Sequence, residues 1–261
     1  MVRVIAIIQA RMNSERLPGK VLKLIKEKTF IELIVRRLER SKLIDDIVFA
    51  LPDNESSKPI INLLKNINIG YNLGDEHNLL SRYLGAANAN NADYIIRITA
   101  DCPFIDPDII DDMIKKILST KLDFITNVLP PSWPDGLDVN IFSMKTLLKT
   151  NKDAKLNSDK EHVVPWMWKN SNLKNKNMFK AFNFLAPMNM EKYRWTLDTK
   201  EDYDFFYETA QELSWGKLVD MTWKDFIDFY KNNDNLNLIN GDNKRDEGYK
   251  TSLDKDKDDE I

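Results

Sequence analysis

Short apolar runs alternate with segments of helical periodicity along the first half of the sequence. Predicted strands cover residues 2–9, 44–51, 67–71, 94–99 and 123–128. Predicted helices cover residues 30–42, 58–65, 77–90 and 109–119. A chain that alternates in this way folds into a mostly parallel sheet with helices packed on both of its faces. The pattern therefore predicts an α/β fold.

The composition divides the chain into two parts. Its 261 residues are 43% hydrophobic and carry a formal net charge of −3, so the chain can bury one sizeable core. From residue 236 onward Asn, Asp, Lys and Gly predominate, a composition that cannot bury enough surface to order itself. We therefore predict a folded domain over residues 1–235 and a flexible charged tail over residues 236–261.

Several classes of protein are excluded by the same composition. The chain lacks the basic surplus of a nucleic-acid-binding domain, and no apolar run approaches the roughly 20 residues that a membrane helix requires. The N-terminal apolar run lasts five residues and leads into a charged loop, which is unlike a signal peptide. The single cysteine, Cys102, excludes an internal disulfide and is compatible with a reducing compartment. These features predict a cytoplasmic protein without membrane or nucleic-acid partners.

A basic loop follows the first predicted strand. Arg11, Arg16 and Lys20 lie within it, and Ser14 and Pro18 interrupt any helix there. A strand that delivers three cations on a turn is suited to bind a polyphosphate, although a solvated basic turn has the same composition. The loop has neither the glycine pattern of a Walker A motif nor that of a dinucleotide-binding fingerprint.

A second loop, after the strand predicted over residues 94–99, carries Asp101. Ligands of parallel α/β sheets bind at the carboxyl ends of the strands. Mg²⁺ favours one or two carboxylates together with phosphate oxygens, so Asp101 is a candidate metal ligand. An aspartate in a proline-containing turn also serves as a turn cap, and the position alone does not distinguish the two roles.

These two loops carry a resemblance to a known family. Residues 8–20, with the sequence IQARMNSERLPGK, resemble the signature of the cytidylyltransferases that activate sugar acids. Residues 98–103, ITADCP, look like the family's metal-binding segment. Residues 134–139, PDGLDV, and 161–163, EHV, are similar to motifs of its spore-coat polysaccharide branch, and more distant relatives make CMP-3-deoxy-manno-octulosonate and CMP-sialic acid. The resemblance implies a Rossmann-like nucleotidyltransferase (GT-A-like) fold.

The resemblance also implies roles for individual residues. The cations expected to bind the triphosphate and stabilise the departing pyrophosphate are Arg11, Arg16 and Lys20. The residues expected to contact the nucleotide are Ala10, Arg11, Ser14, Arg82 and Arg97. The expected Mg²⁺ ligands are Asp101 and Asp198, and the expected sugar-binding residues are Asp135, Asp138 and His162.

Five of these assignments have a structural alternative. Arg82 and Arg97 also suit ion pairs at the rim of a sheet, and Asp135 and Asp138 also suit a β-turn. A lone histidine such as His162 is often a hydrogen-bonded structural residue. The functional and structural roles of these five side chains predict different neighbours in the folded protein.

The last informative stretch surrounds Asp198. A strand is predicted to end at this residue, and a helix is predicted over residues 200–212, followed by another over residues 221–231. Thr199 and Asp202 have the spacing of a capping box. Asp198 is therefore a candidate for capping as well as for metal binding.

The sequence thus predicts a Mg²⁺-dependent nucleotidyltransferase of surface polysaccharide or glycan biosynthesis. It would transfer CMP from CTP to a sugar acid, with a 2-keto sugar acid as the leading class, and release pyrophosphate. The same basic loop would also serve a transferase that uses GTP and a sugar 1-phosphate, or a non-catalytic nucleotide-binding domain. A glycosyltransferase of similar fold would carry an Asp-x-Asp motif, which residues 106–108 match only formally because they open a helix. Family relatives are often dimers, which implies a homodimer.

Overall fold

The computed structural model describes residues 2–241, 243, 245 and 247–258. Its strands are β1 (Val4–Gln9), β2 (Leu24–Ile25), β3 (Lys28–Thr29), β4 (Asp46–Pro52), β5 (Gly70–Gly74), β6 (Tyr94–Thr99), β7 (Phe124–Thr126), β8 (Asn140–Ser143) and β9 (Ala181–Asn183). Its helices are α1 (Phe30–Leu38), α2 (Lys58–Asn66), α3 (Leu79–Ala89), α4 (Pro107–Thr120), α5 (Met144–Asp153), α6 (Asn157–His162), α7 (Pro165–Lys169), α8 (Lys200–Glu212), α9 (Trp215–Asp220), α10 (Trp223–Asn232), α11 (Asp234–Asn237) and α12 (Glu247–Asp258). Among the described helices, none combines the length and the apolar character needed to cross a membrane.

A seven-stranded sheet with the order β5-β4-β1-β6-β8-β7-β9 lies at the centre of the described chain. Neighbouring strands are parallel except at β8, which runs antiparallel to both β6 and β7. Strands β2 and β3 form a separate antiparallel hairpin. This mostly parallel sheet confirms the predicted α/β fold.

Strand β1 shows why helices cover both faces of this sheet. Val4, Ala6 and Ile8 belong to a core cluster that includes the apolar side of α1, whereas Ile5 and Ile7 belong to a second cluster that includes α3. Successive side chains of a strand point to opposite faces, so a continuous apolar run must be buried from both sides. The central strand is therefore fixed by two separate cores, and its C-terminal end is a rigid support for the loop that follows.

The bounds of β6 and α8 agree with the sequence predictions, but the strand predicted to end at Asp198 is absent. The chain before Asp198 forms one isolated β-bridge, between Arg194 and Asp135. Trp195 is fully buried, which accounts for the strand-like apolar pattern. The segment beside it is a loop, which offers no continuous row of backbone groups for a ladder.

The C-terminal residues differ from the predicted flexible tail. Helices α11 and α12 lie there, Leu236 and Ser252 are buried, and α12 packs against α6. Leu236 belongs to a core cluster, and Ser252 and Asp256 form hydrogen bonds with α6. A prediction based on overall composition does not find such single contacts. The part of that prediction that falls on residues 242, 244, 246 and 259–261 lies outside the described residues.

Candidate active site

The candidate site lies where β1 and β6 end side by side. Gln9, the last residue of β1, pairs with Thr99, the last residue of β6. The backbone NH of Ala100 donates to the carbonyl of Gln9 at 3.1 Å, so the loops after the two strands leave the sheet together. The register of the central sheet therefore brings the basic loop and the Asp101 loop to one edge.

Lys20 lies between two carboxylates at this edge. Its Nζ is 3.0 Å from Asp101 Oδ2 and 2.9 Å from Asp198 Oδ1, and its side chain is 10% exposed. Gly19 precedes it in the left-handed conformation with φ 67°, and the Gly19 NH donates to the Met12 carbonyl at 3.0 Å. The folded loop thus directs Lys20 inward, and the two acid oxygens lie within about 6 Å of each other because both contact one nitrogen.

The charges of this cluster stabilise one another. Burial alone would lower the pKa of the Lys20 ammonium, but Asp101 and Asp198 more than offset burial and the pKa is raised. Burial alone would raise the pKa of Asp101, but Lys20 and a hydrogen bond from Thr99 lower it to about 2. Both groups are therefore ionised at neutral pH.

Arg16 extends the cluster toward solvent. Its guanidinium forms one ion pair with Asp198 and a second, at 2.7 Å, with Glu247 of α12. The Arg16 side chain is 40% exposed, so it remains accessible to a ligand. The structure thus brings Arg16, Lys20, Asp101 and Asp198 together, as the sequence predicts.

Two further predicted cations lie behind the basic loop. The Nε and Nη1 atoms of Arg82 and the Nε atom of Arg97 are buried and have no hydrogen-bond partner among the described residues. Burial lowers the pKa of Arg82, and the nearby charge of Arg11 lowers it further. Buried guanidinium groups that carry unpaired NH groups next to another cation are suited to receive an anionic ligand.

Ala10 and Ser14 shape the loop itself. Ala10 is buried directly after β1. Ser14 donates its backbone NH to the Met12 carbonyl at 3.0 Å and accepts a long hydrogen bond, 3.4 Å, from the Leu17 NH. These contacts hold the loop in a compact turn, while Arg11 is exposed at its start.

Asp135 and Asp138 lie near Asp101, in the loop before β8. All three carboxylates raise the pKa of the Cys102 thiol, to which burial makes the largest contribution, so they face the same position. Asp135 accepts a hydrogen bond from Arg194 at 2.8 Å, and Asp138 forms an ion pair with Arg245. Both acids are therefore near the Lys20 cluster, although each is bound to an arginine.

His162 is the last residue of α6. Its Nε2 is 3.0 Å from Ser252 Oγ, and its ring contacts Tyr249 at a centroid distance of 5.1 Å. Both of these contacts are with residues of α12.

Sequence reasoning missed Arg194 as a member of the site. It donates two hydrogen bonds of 2.8 Å each to the two carboxylate oxygens of Asp202, in addition to its bond with Asp135. Asp202 forms the predicted capping box with Thr199 and also accepts from the Asp198 NH at 3.0 Å. The sequence feature that could have indicated this role is the position of Arg194, four residues before Asp198.

The fit of the cluster to Mg²⁺ depends on the oxygens that a nucleotide would add. The carboxylates of Asp101 and Asp198 are partly exposed, and both contact the Nζ atom of Lys20. Within the described part of the chain, no group of three or more His, Cys, Asp or Glu side chains is placed to hold a metal ion. Two carboxylates plus phosphate oxygens and water are a usual Mg²⁺ environment, so the donor set fits a metal that arrives with a nucleotide.

Comparisons with known proteins give the family context. The profile of the family described as "Cytidylyltransferase" matches residues 5–234. An uncharacterized protein of Methanocaldococcus jannaschii is 30% identical over 252 residues, which is 95% of this chain and 98% of that protein. The spore coat polysaccharide biosynthesis protein SpsF of Bacillus subtilis is 30% identical over 238 residues, 88% of this chain and 95% of that protein.

Solved structures agree with this result. The structure of a cytidylyltransferase from Leptospira borgpetersenii has a TM-score of 0.84 and 30% identity, and covers 94% of this chain and 99% of that one. A CMP:2-keto-3-deoxy-manno-octonic acid synthetase complexed with CTP has a TM-score of 0.59 at 15% identity, covering 81% of this chain and 100% of that one. The second likeness concerns the fold alone.

Proposed function

Because this chain belongs to the cytidylyltransferase family, we propose that it transfers CMP from CTP to a sugar acid and releases pyrophosphate. The observation that carries the proposal is the cluster of Arg16, Lys20, Asp101 and Asp198 at the ends of β1 and β6. Two relatives support the sugar-acid class: the spore coat polysaccharide biosynthesis protein SpsF and a 3-deoxy-manno-octulosonate cytidylyltransferase.

In this reaction an acceptor oxygen attacks the α-phosphorus of CTP while the bond to the β-phosphate breaks. Negative charge builds on the leaving pyrophosphate, and fixed cations stabilise it without reorganising. Arg11, Arg16 and Lys20 would provide this charge, and the contacts of Arg16 and Lys20 with Asp198 support this role for those two residues. Arg82 would bind the phosphates through its buried NH groups, which have no hydrogen-bond partner among the described residues. The protein acts mainly by positioning groups and by neutralising charge.

The proposal includes a bound Mg²⁺. Asp101 and Asp198 would hold it, and when bound it would neutralise phosphate oxygens and so assist departure of pyrophosphate. Lys20 now contacts the same two oxygens, so it also serves as their counter-charge before a nucleotide binds.

The acceptor side of the proposed site is formed by the loop of residues 130–139. Asp135 and Asp138 would accept hydrogen bonds from sugar hydroxyls, and Arg194 and Arg245 hold their carboxylates. His162 remains a predicted sugar-binding residue.

The test is pyrophosphate release with Mg²⁺ and each of the four NTPs. Each is combined with 3-deoxy-manno-octulosonate, with a nonulosonic acid such as sialic acid, and with a sugar 1-phosphate. We expect release with CTP and a sugar acid. Release with GTP and the sugar 1-phosphate would replace the proposed substrates, and release with no combination would favour a non-catalytic nucleotide-binding domain.

A further inference from the structure

The C-terminal strap, defined as residues 243–258 as far as they are described, lies beyond residues 5–234 that match the family. Its start contacts two loops of the candidate site, and the rest of it contacts α6. Because neither the family match nor the sequence pattern assigns any role to this segment, its contacts are the only guide to its function.

The first contact is with the basic loop. Glu247 Oε2 is 2.7 Å from Arg16 Nη1, and Arg16 in turn pairs with Asp198. Carboxylate and phosphate oxygens bind a guanidinium in the same geometry. Glu247 therefore occupies a ligand position of Arg16 that the proposed triphosphate would need.

The second contact is with the acceptor-side loop. Arg245 donates a hydrogen bond to the carbonyl of Trp133 at 3.2 Å and forms an ion pair with Asp138. Its Nε atom is 3.8 Å from Asp135 Oδ1. Arg245 and Glu247 are only two residues apart, yet Glu247 contacts the basic loop and Arg245 contacts the loop of residues 130–139. The start of the strap thus contacts both loops of the candidate site.

The third contact fixes the other end of the strap. The hydroxyl of Ser252 donates to Glu161 at 2.8 Å and lies 3.0 Å from His162 Nε2. The carboxylate of Asp256 accepts from the Ser158 NH at 3.1 Å. These contacts lie on α6 and involve none of Arg16, Lys20, Asp101 and Asp198. Binding of a triphosphate to those residues should therefore leave the contacts unchanged.

We propose that the strap closes the ligand-free site, with Glu247 as a displaceable counter-ion for Arg16 and Arg245 as the anchor on the acceptor side. The proposal rests on the proposed function, because the triphosphate is the ligand that displaces Glu247. Arg245 and Glu247 mark the moving end, and the part of α12 that contacts α6 is the fixed end. Both Arg245 and Glu247 are positioning residues, since they act through Arg16 and the acceptor-side acids.

Calorimetric titration with CTP and Mg²⁺ tests the counter-ion. Glu247→Gln keeps the size of the side chain and removes the charge that competes with phosphate. A partly exposed ion pair has a modest strength, so the variant should bind CTP about two- to five-fold more tightly than the wild type. Arg245→Ala should also bind CTP more tightly because the moving end loses its anchor, and Arg245→Lys should lie between it and the wild type.

The matched control is Asp254→Asn, which removes the charge of an exposed carboxylate on the same helix. In the contacts described, Asp254 pairs with Lys257, one turn further along α12. It should bind CTP like the wild type. A purely structural strap predicts lower melting temperatures for Arg245→Ala and Glu247→Gln with unchanged CTP affinity, and this result would overturn the proposal.

Limited trypsin digestion of the wild type tests the movement. CTP with Mg²⁺ should accelerate cleavage after Arg245, at the moving end, and leave cleavage after Lys257 unchanged. Equal rates at Arg245 with and without ligand would overturn the proposal.

Failure of the proposed function has a different appearance. A wild type that does not bind CTP contradicts the proposed function, and titration with inorganic pyrophosphate then decides on the strap. Tighter pyrophosphate binding by Glu247→Gln would support the strap, whereas equal binding, or no binding by either protein, would overturn it.

Discussion

A buried ammonium between two carboxylates is the central feature at the scale of single residues. Lys20 is mostly buried and contacts Asp101 and Asp198 at about hydrogen-bond distance, so its position is fixed by charge as well as by packing. A surface lysine would instead sample many rotamers and contribute little to any transition state. Kinetics can therefore distinguish a catalytic cation from a surface charge.

Replacement of Lys20 or Arg16 by Ala should lower both kcat and kcat/KM. Removing one preorganised contact to a developing charge typically costs on the order of 100-fold. Arg11→Ala should behave in the same way because Arg11 lies at the end of β1. The measurement is steady-state pyrophosphate release at saturating Mg²⁺. Lys28→Ala, which removes an exposed cation of the β3 strand, is the control and should keep the wild-type rate. Near-wild-type rates for all three site variants would contradict triphosphate binding by the loop.

Gly136 is a second residue whose identity the structure requires. Its φ of +105° lies outside the range of other residues, and a Cβ atom there would lie 2.2 Å from the Trp195 carbonyl oxygen. Gly136→Ala should destabilise the protein by more than about 1 kcal/mol in urea unfolding and should weaken acceptor use, because the loop carries Asp135 and Asp138. Gly85→Ala is the control. Gly85 lies on α3 with open space around it, so this change should be neutral or stabilising.

At the scale of secondary structure, the sequence predicts the parallel strands β1, β4 and β6 better than the short strands β8 and β9. β1, β4 and β6 are continuous apolar runs followed by helical segments, and local pattern is enough to find them. β8 has four residues and β9 has three, so neither offers a period long enough to recognise. Their strand conformation comes from pairing with neighbours that are distant in sequence.

The same distinction holds for the candidate site. Arg16, Lys20 and Asp101 sit in loops attached to predictable strands, so a motif places them correctly. Arg194 and Arg245 enter through long-range contacts with the loop before β8, and nothing in their local sequence indicates a partner. Tertiary pairing of charges is not visible in a pattern of spacing.

The start of α8 depends on one buried carboxylate. Asp202 has 0% side-chain exposure and binds Arg194 through both oxygens. Burial raises the pKa of the Asp202 carboxyl, but Arg194 lowers it more, so its pKa in the folded protein lies below its ordinary value. A lowered pKa means that the ionised form contributes stability above the unfolded-state pKa, and that this contribution is lost as the pH falls.

Asp202→Asn should therefore be strongly destabilising at neutral pH. Breaking a buried ion pair costs about 3–5 kcal/mol, and the difference from the wild type should shrink at about pH 3 because the wild type loses the same contribution. Urea unfolding at both pH values measures this change. Asp204→Asn, an exposed acid of α8 that pairs with Lys200, should change stability by less than about 1 kcal/mol at either pH. A constant difference for Asp202→Asn across the pH range would contradict the assignment.

At the scale of the whole molecule, Arg37 joins three regions of the chain. It is fully buried in α1 and donates hydrogen bonds to the carbonyls of Phe104 and Ile105 and to those of Leu218, Val219 and Met221. The first pair follows the Asp101 loop. Leu218 and Val219 lie near the end of α9, and Met221 follows that helix. One side chain thus ties the support of the candidate site to the C-terminal helices.

Arg37→Met should lower the melting temperature by at least about 6 °C, because it leaves five buried carbonyl groups without their donor. Arg36→Met is the control, since Arg36 is exposed and pairs with Glu39 one turn away. Differential scanning calorimetry measures both variants. Equal melting temperatures would show that water or other donors replace the guanidinium.

The contact of Lys20 with Asp101 and Asp198 has a consequence for how the protein is made and stored. The ammonium group of Lys20 offsets the repulsion between the carboxylates of Asp101 and Asp198. The folded protein therefore needs no bound metal ion to hold the two carboxylates together, and we expect folding to be independent of Mg²⁺. Proteins whose folding depends on a structural metal lose their structure in chelators. Here, dialysis against EDTA should leave the melting temperature unchanged and remove only turnover, which returns when Mg²⁺ is restored. In the ligand-free protein, the ammonium group of Lys20 supplies the positive charge that a bound metal ion would otherwise provide.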